Sequence, residues 1–155
     1  MLINNAGISI GWEEKATRAR WLELYNTNVV GVEFVTEAFV PLLEKSQGVQ
    51  RIVNVTSVLG SMQNKLDKDH FIYNVEWCPY SVTKSALNQL TLHYVARYPT
   101  WKINLTCPGY LATNLNAFKG VGSVSDGAIN TCRLATLGKD GETGTWTEKE
   151  GSIRW

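Results

Sequence analysis

An α/β fold, a largely parallel sheet wound by helices on both faces, follows from three observations. Short runs rich in β-branched residues alternate along the chain with longer stretches in which apolar residues recur at steps of three and four. The two best-defined runs, Arg51-Ile52-Val53-Asn54-Val55-Thr56-Ser57 and Lys102-Ile103-Asn104-Leu105-Thr106-Cys107, are near-continuous rather than alternating, as strands covered on both faces are. Strand, helix, strand, helix in regular succession means βαβ units and hence parallel pairing.

Size and composition set the frame. The 155 residues, 44% hydrophobic with a formal net charge of +1, suit one soluble globular domain over 1–155 and argue against disorder. That balance gives no reason to expect nucleic acid or a membrane surface as partner. No apolar run approaches the roughly 18 residues of a spanning helix. The start has no basic stretch followed by a long apolar core, so it is not a signal peptide, and a cytoplasmic location is expected. Cys78, Cys107 and Cys132 are widely spaced with no C-x-x-C, which fits free thiols and no metal site.

Taken in order, residues 1–4 read as the end of a buried strand, running into a turn at Asn5-Ala6-Gly7. From about 17 to 46 the pattern is helical, with Trp21, Leu24, Tyr25, Asn28, Val32, Val35, Phe39 and Leu42 as its stripe and Pro41 expected to bend or break the last turns. Asn28 is the one polar member, and a buried amide must be hydrogen-bonded or it costs about 1–3 kcal/mol. The next strand ends at Ser57, on the sheet edge where open α/β folds bind ligands. Residues 58–78 read as a mostly polar connection in which His70 is a solvated loop residue. Pro79 opens a helix that stops before Pro99, with Tyr80, Lys84, Leu87, Thr91 and Val95 on one face and His93 off it. After the strand at 102–107, Pro108-Gly109 lead into a segment over 110–122 read as a mobile flap. A modest helix at 125–137, a last strand near 144–147 and a tail complete the chain.

The chemistry concentrates at Tyr80-Ser81-Val82-Thr83-Lys84, read with Ser57. Four residues apart on a helix, Tyr80 and Lys84 stand one turn apart on one face. An ammonium beside the phenol is expected to pull its pKa from about 10 toward neutrality, giving a proton donor and acceptor usable at working pH.

Five pieces in fixed order resemble the classical short-chain dehydrogenases/reductases: Asn4-Asn5-Ala6-Gly7, Asn28, Thr56-Ser57-Val58-Leu59-Gly60, Tyr80-x-x-x-Lys84, and Pro108-Gly109-Tyr110-Leu111-Ala112-Thr113. Tyr80 follows Ser57 by 23 positions (80 − 57), similar to the carbonyl reductase branch, which has an insertion there. The resemblance implies a Rossmann-like NAD(P)-binding domain acting on a small carbonyl or alcohol, with room for a homo-oligomer. Tyr80 would exchange the proton at the substrate oxygen, Ser57 would orient that oxygen, and Lys84 would lower the Tyr80 pKa and hold the nicotinamide ribose. Asn28 would hold a water linking Lys84 to solvent. Leu111 and Thr113 would meet the carboxamide, and Asn4, Asn5 and Ala6 would lie near the adenosine-side ribose. The family's T-G-x-x-x-G-x-G turn, which cradles the pyrophosphate, is absent, as are the first three strands. The expected fold is therefore an incomplete doubly wound sheet, and NAD and NADP stay undistinguished. Two expectations stand side by side: the catalytic half of an NAD(P)-dependent oxidoreductase, or a shortened, catalytically silent relative serving as a binding or assembly partner.

Overall fold

The structure, a computed structural model, describes residues 1–9 and 15–155. Among them the strands β1 (Leu2–Asn4), β2 (Arg51–Val55), β3 (Lys102–Thr106) and β4 (Trp146–Glu148) lie side by side and parallel, and β5 (Gly151–Ser152) returns antiparallel against β4. The pairing of β2 with β3 is in full register, from Arg51 opposite Lys102 to Val55 opposite Thr106. Between the strands run α1 (Arg18–Tyr25), a π-helical turn (Asn26–Val30), α2 (Gly31–Glu44), α3 (Met62–Leu66), α4 (Cys78–Arg97) and α5 (Val124–Ala135).

The covering on both faces follows from the two-residue period of a strand. Ile52 and Ile103, fully buried, pack with Leu2 under Val40 and Leu43 of α2 and Tyr94 of α4. Their neighbour Val53 points the opposite way and meets Leu134 and Ala135 of α5. None of the described helices is long and apolar enough to cross a membrane.

A polar seam runs through this apolar layer. Asn4 Nδ2 donates to Thr36 Oγ1 at 3.0 Å and to Asn54 Oδ1 at 2.8 Å, and Asn54 Nδ2 donates to Thr91 Oγ1 at 2.8 Å. On the other face Asn130 Nδ2 donates to Thr106 Oγ1 and to the Thr147 carbonyl. Each of β1 to β4 is thus tied to a helix by an amide that reaches its partner in one register only, since a slip would leave buried polar groups unpaired.

Several expectations are corrected by the structure. The stretch 17–46 is two helices joined by a π turn, whose wider hydrogen-bonded loop admits an extra residue. That residue shifts the phase, so the buried face continues from Asn28 through Val32, Thr36, Val40 and Leu43. Val35, Phe39 and Leu42, placed on the stripe by sequence, face outward. The helix runs through Pro41 to Glu44. Residues 58–78 are ordered by α3 and two 3-10 turns, with Asn64 and Ile72 buried; His70 caps one of those turns by accepting the Ile72 N–H. The segment 110–122 closes on itself through a bridge between Leu111 and Gly122 and the bonds of Ala112 N–H to Gly122 and Val121 N–H to Tyr110. The tail forms β5, so one edge of the sheet is antiparallel.

The seam separates the two neighbouring asparagines. Asn4→Ala is expected to cost about 1–3 kcal/mol of unfolding free energy in urea, because it unpairs Thr36 and Asn54 inside the layer. Asn5→Ala, at an exposed position, is expected to stay within about 0.5 kcal/mol of the parent. Equal effects of the two substitutions would contradict the seam.

Candidate active site

The chain leaves the sheet at the C-terminal ends of β2 and β3, and short-range bonds fix the turn beyond β2. Ser57 Oγ accepts the Leu59 N–H at 3.3 Å and caps a 3-10 turn over Val58–Gly60. That turn lies directly on α4. A Cβ on Gly60 would stand 2.9 Å from the Lys84 backbone carbon, and Ser85 Oγ donates to the Gly60 carbonyl at 2.9 Å. Only a residue without a side chain lets the strand-end serine and the helix approach this closely.

Helix α4 starts at Cys78 with Pro79 in its first turn, and Tyr80, Thr83 and Lys84 lie on its buried side. The Tyr80 ring packs with Leu24 and Trp77, the latter edge-on at 6.0 Å between centroids. Lys84 is only 4% exposed. Its Nζ sits 5.5 Å from the centre of the Tyr80 ring and donates to the Val55 carbonyl at 3.0 Å. Among the described residues no carboxylate pairs with it.

Burial governs the charges here. It pushes the Lys84 ammonium down to about 8. It also pushes the Tyr80 phenol well above its ordinary range, with the nearby Cys107 acting in the same direction and a hydrogen bond with Ser57 pulling the other way. The expected lowering of the Tyr80 pKa by Lys84 is therefore overturned in this structure. The ammonium lies over the ring with its bond directed at Val55, and loss of water around the phenol outweighs its attraction.

Asn28, fully buried in the π turn, uses both ends of its amide. Oδ1 accepts the Ile8 N–H at 2.9 Å, and Nδ2 donates to the Ile8 carbonyl at 2.9 Å and to Thr83 Oγ1 at 3.1 Å. A Cβ on Gly7 would stand 3.4 Å from Asn28 Oδ1 and 3.5 Å from Lys84 Nζ, so the two side chains meet across that glycine.

Ser57, Tyr80 and Lys84 open into one cavity of about 770 Å³ at this sheet edge. Asn5, Leu111 and Thr113 line the same cavity. Asn28 lies behind Lys84 and outside it. Asn4 turns into the helix–sheet interior, and Ala6 is exposed beyond the wall. His70 and His93 contribute nothing to it. Among the described residues no group of three or more His, Cys, Asp or Glu side chains is gathered as a metal would need.

Three further side chains that belong to none of the motifs shape the site. Cys107 accepts the Val58 N–H on its sulfur at 3.3 Å, linking the two strand ends. Trp77 walls the Tyr80 ring, and Glu148 brings a carboxylate to the cavity. Cys107 sits at the end of a strand run, where position alone could have singled it out.

Known proteins match this chain over most of its length. The family model described as short chain dehydrogenase matches residues 1–121. A short-chain dehydrogenase/reductase of Stachybotrys chlorohalonatus is 36% identical over 84% of this chain and 49% of its own. A (+)-neomenthol dehydrogenase of Arabidopsis thaliana is 29% identical over 88% of this chain and 64% of its own. This chain thus spans about half to two thirds of the length of these curated relatives. In fold it resembles salutaridine reductase from Papaver somniferum (TM-score 0.79, 24% identity, 94% of this chain and 71% of that one). It also resembles the NADPH-bound carbonyl reductase from chicken fatty liver (TM-score 0.77, 24% identity, 99% and 64%). Sheet order, strand-end turns and a match over residues 1–121 agree, and the chain belongs to the short-chain dehydrogenase/reductase family.

Proposed function

We propose that this chain is the catalytic portion of an NADP(H)-dependent oxidoreductase that interconverts a small carbonyl compound and its alcohol, with Tyr80 as general acid and base. The observation that carries this reading is the convergence of Tyr80, Ser57 and the Lys84 ammonium, which no carboxylate among the described residues pairs, on one cavity. The choice of NADP(H) rests on the NADPH-bound carbonyl reductase that shares the fold.

The cofactor, when bound, supplies or accepts the hydride. This chain contributes proton handling and orientation. Tyr80, kept protonated by burial, donates to the carbonyl oxygen as negative charge develops there, which favours reduction. Ser57, which lines the same cavity, holds the same oxygen in line. Lys84, poised near pH 8 and free of any carboxylate among the described residues, is suited to ribose hydroxyls and to stabilising the tyrosinate left after proton transfer. Both N–H donors of the Asn28 amide are engaged with Ile8 and Thr83, so a water linking Lys84 to solvent would have to donate to Asn28, at its side-chain or main-chain oxygen. Leu111 and Thr113 suit the carboxamide, and Asn5 the adenosine side. Asn4 serves the sheet instead.

The nicotinamide end of a cofactor site therefore fits the residues present, and the pyrophosphate end has no glycine-rich turn in these 155 residues. The alternative, a cofactor-poor binding or assembly subunit, draws on that second feature alone.

Two outcomes are expected. With millimolar NADPH and an aromatic ketone, Tyr80→Phe should lower NADPH consumption by about 10²–10⁴-fold, because it removes the proton donor. Turnover equal to the parent would rule out that role. In thermal melts, micromolar NADP(H) should leave the midpoint unmoved, whereas ligand at 100 times Kd adds about 2.7 kcal/mol. A clear rise would show that the remaining contacts suffice without the turn.

A further inference from the structure

We propose that the cavity takes a bulky, largely apolar carbonyl compound that carries a protonated amine, and that Glu148 binds the ammonium; this rests on the reading of Tyr80 and Ser57 as the carbonyl end. Four observations lead there.

The first is position. The Cys107 N–H donates to the Thr147 carbonyl at 2.9 Å, which sets Glu148 beside Cys107 at the C-terminal edge of the sheet. Strands lie about 4.7–4.9 Å apart, so the Glu148 backbone stands roughly 10 Å, two strand spacings, from the strand that ends in Ser57. A ligand anchored at both ends lies across β3.

The second is charge. Among the described residues lining this cavity, Glu148 is the one acid and Lys84 the one base. A cationic group is repelled from the Tyr80 end and drawn to the Glu148 end, which fixes the orientation of the ligand.

The third is the absence of an internal partner. Lys149, next in sequence, gives its ammonium to Asp126 at 2.9 Å. Arg133 is taken by Glu142, Arg154 by Asp67 and Arg97 by Glu37. Among the described residues Glu148 has no ion pair or hydrogen bond. Partial burial, and then the neighbouring Glu150, hold its carboxyl above the usual carboxylate range. An incoming ammonium supplies the missing counter-charge, whereas a neutral apolar ligand would strip water from the carboxylate and return nothing.

The fourth is the wall. Phe71, Val75, Trp77, Leu115 and Val124 line the rest of the cavity. Beyond the part that Asn5, Leu111 and Thr113 give to the nicotinamide end, this apolar wall suits a ring system rather than a short-chain carbonyl.

The test is a matched pair of ketones, 4-(dimethylaminomethyl)acetophenone and 4-isobutylacetophenone, alike in shape and differing in one cationic centre. Binding to the 155-residue chain is followed by tryptophan fluorescence at pH 7 without cofactor, so the result does not depend on turnover. The amine is expected to bind roughly three- to tenfold more tightly than its carbon analogue. Glu148→Gln should abolish that preference while leaving the isobutyl compound unchanged, and Glu148→Asp should retain part of it. No preference in the parent, a preference that survives Glu148→Gln, or no binding of either ketone would overturn the proposal. Loss of the preference in Glu148→Gln together with an inactive parent would leave it standing and count against the oxidoreductase reading alone.

Discussion

The site depends on keeping one ammonium out of water. Lys84 enters the fold charged, and burial lowers its pKa from 10.5 to about 8. At neutral pH that is a cost on the order of 3 kcal/mol. The sign is fixed by proton binding: between pH 8 and 10.5 the unfolded chain holds more protons than the folded one, so this group's contribution to stability rises with pH across that window. Below pH 8 the penalty is constant. Among the described residues the surroundings return one bond, which Lys84 donates to the Val55 carbonyl, and the face of the Tyr80 ring. Such a group is easily discharged and ready to meet an oxygen-rich partner, as the proposed chemistry requires of it.

That arrangement is held in place by amides rather than by apolar packing alone. Asn28 ties the π turn to Ile8 and Thr83, so the loop after β1, the turn and helix α4 meet around Gly7. Asn4 and Asn54 lock β1, β2, α2 and α4 into one register, and Asn130 does the same for α5 against β3 and β4. Gly60 then lets the strand-end turn rest on the backbone of Lys84. Each device fixes how a helix or turn sits on the sheet, and so where the strand ends that line the cavity lie.

Much of this is legible in the chain. The β-branched runs at 51–55 and 102–106 and the i, i+4 spacing of Tyr80 and Lys84 carry the fold class, and the ordered motifs carry the family. The phase of α2 is not legible, because the π turn shifts it by a residue through hydrogen bonding that periodicity does not reveal; Phe39 and Leu42 therefore face outward. The closure of 110–122 rests on main-chain bonds and on the Asn116 amide, which donates to the Leu111 carbonyl and accepts the Thr113 N–H, a role that periodicity does not reveal. Spacing misleads about the Tyr80 environment because proximity to an ammonium is visible in sequence and desolvation is not. Glu148 carries no sequence signal of its own, since a polar residue near the end of a chain looks solvated until strand order brings it beside Cys107.

The cavity therefore has two unlike ends, a buried base beside Tyr80 and, at the edge of β4, an acid without a partner among the described residues, with an apolar wall between them. Everything at the first end depends on the state of Lys84. Titrating its ε-methylene by ¹H–¹³C NMR, with the resonance assigned by its loss in Lys84→Met, reads that state directly. A midpoint near pH 8 is the result that the buried ammonium predicts. A midpoint near the ordinary lysine value of about 10.4 would mean that water reaches the group, and would contradict the account of the site.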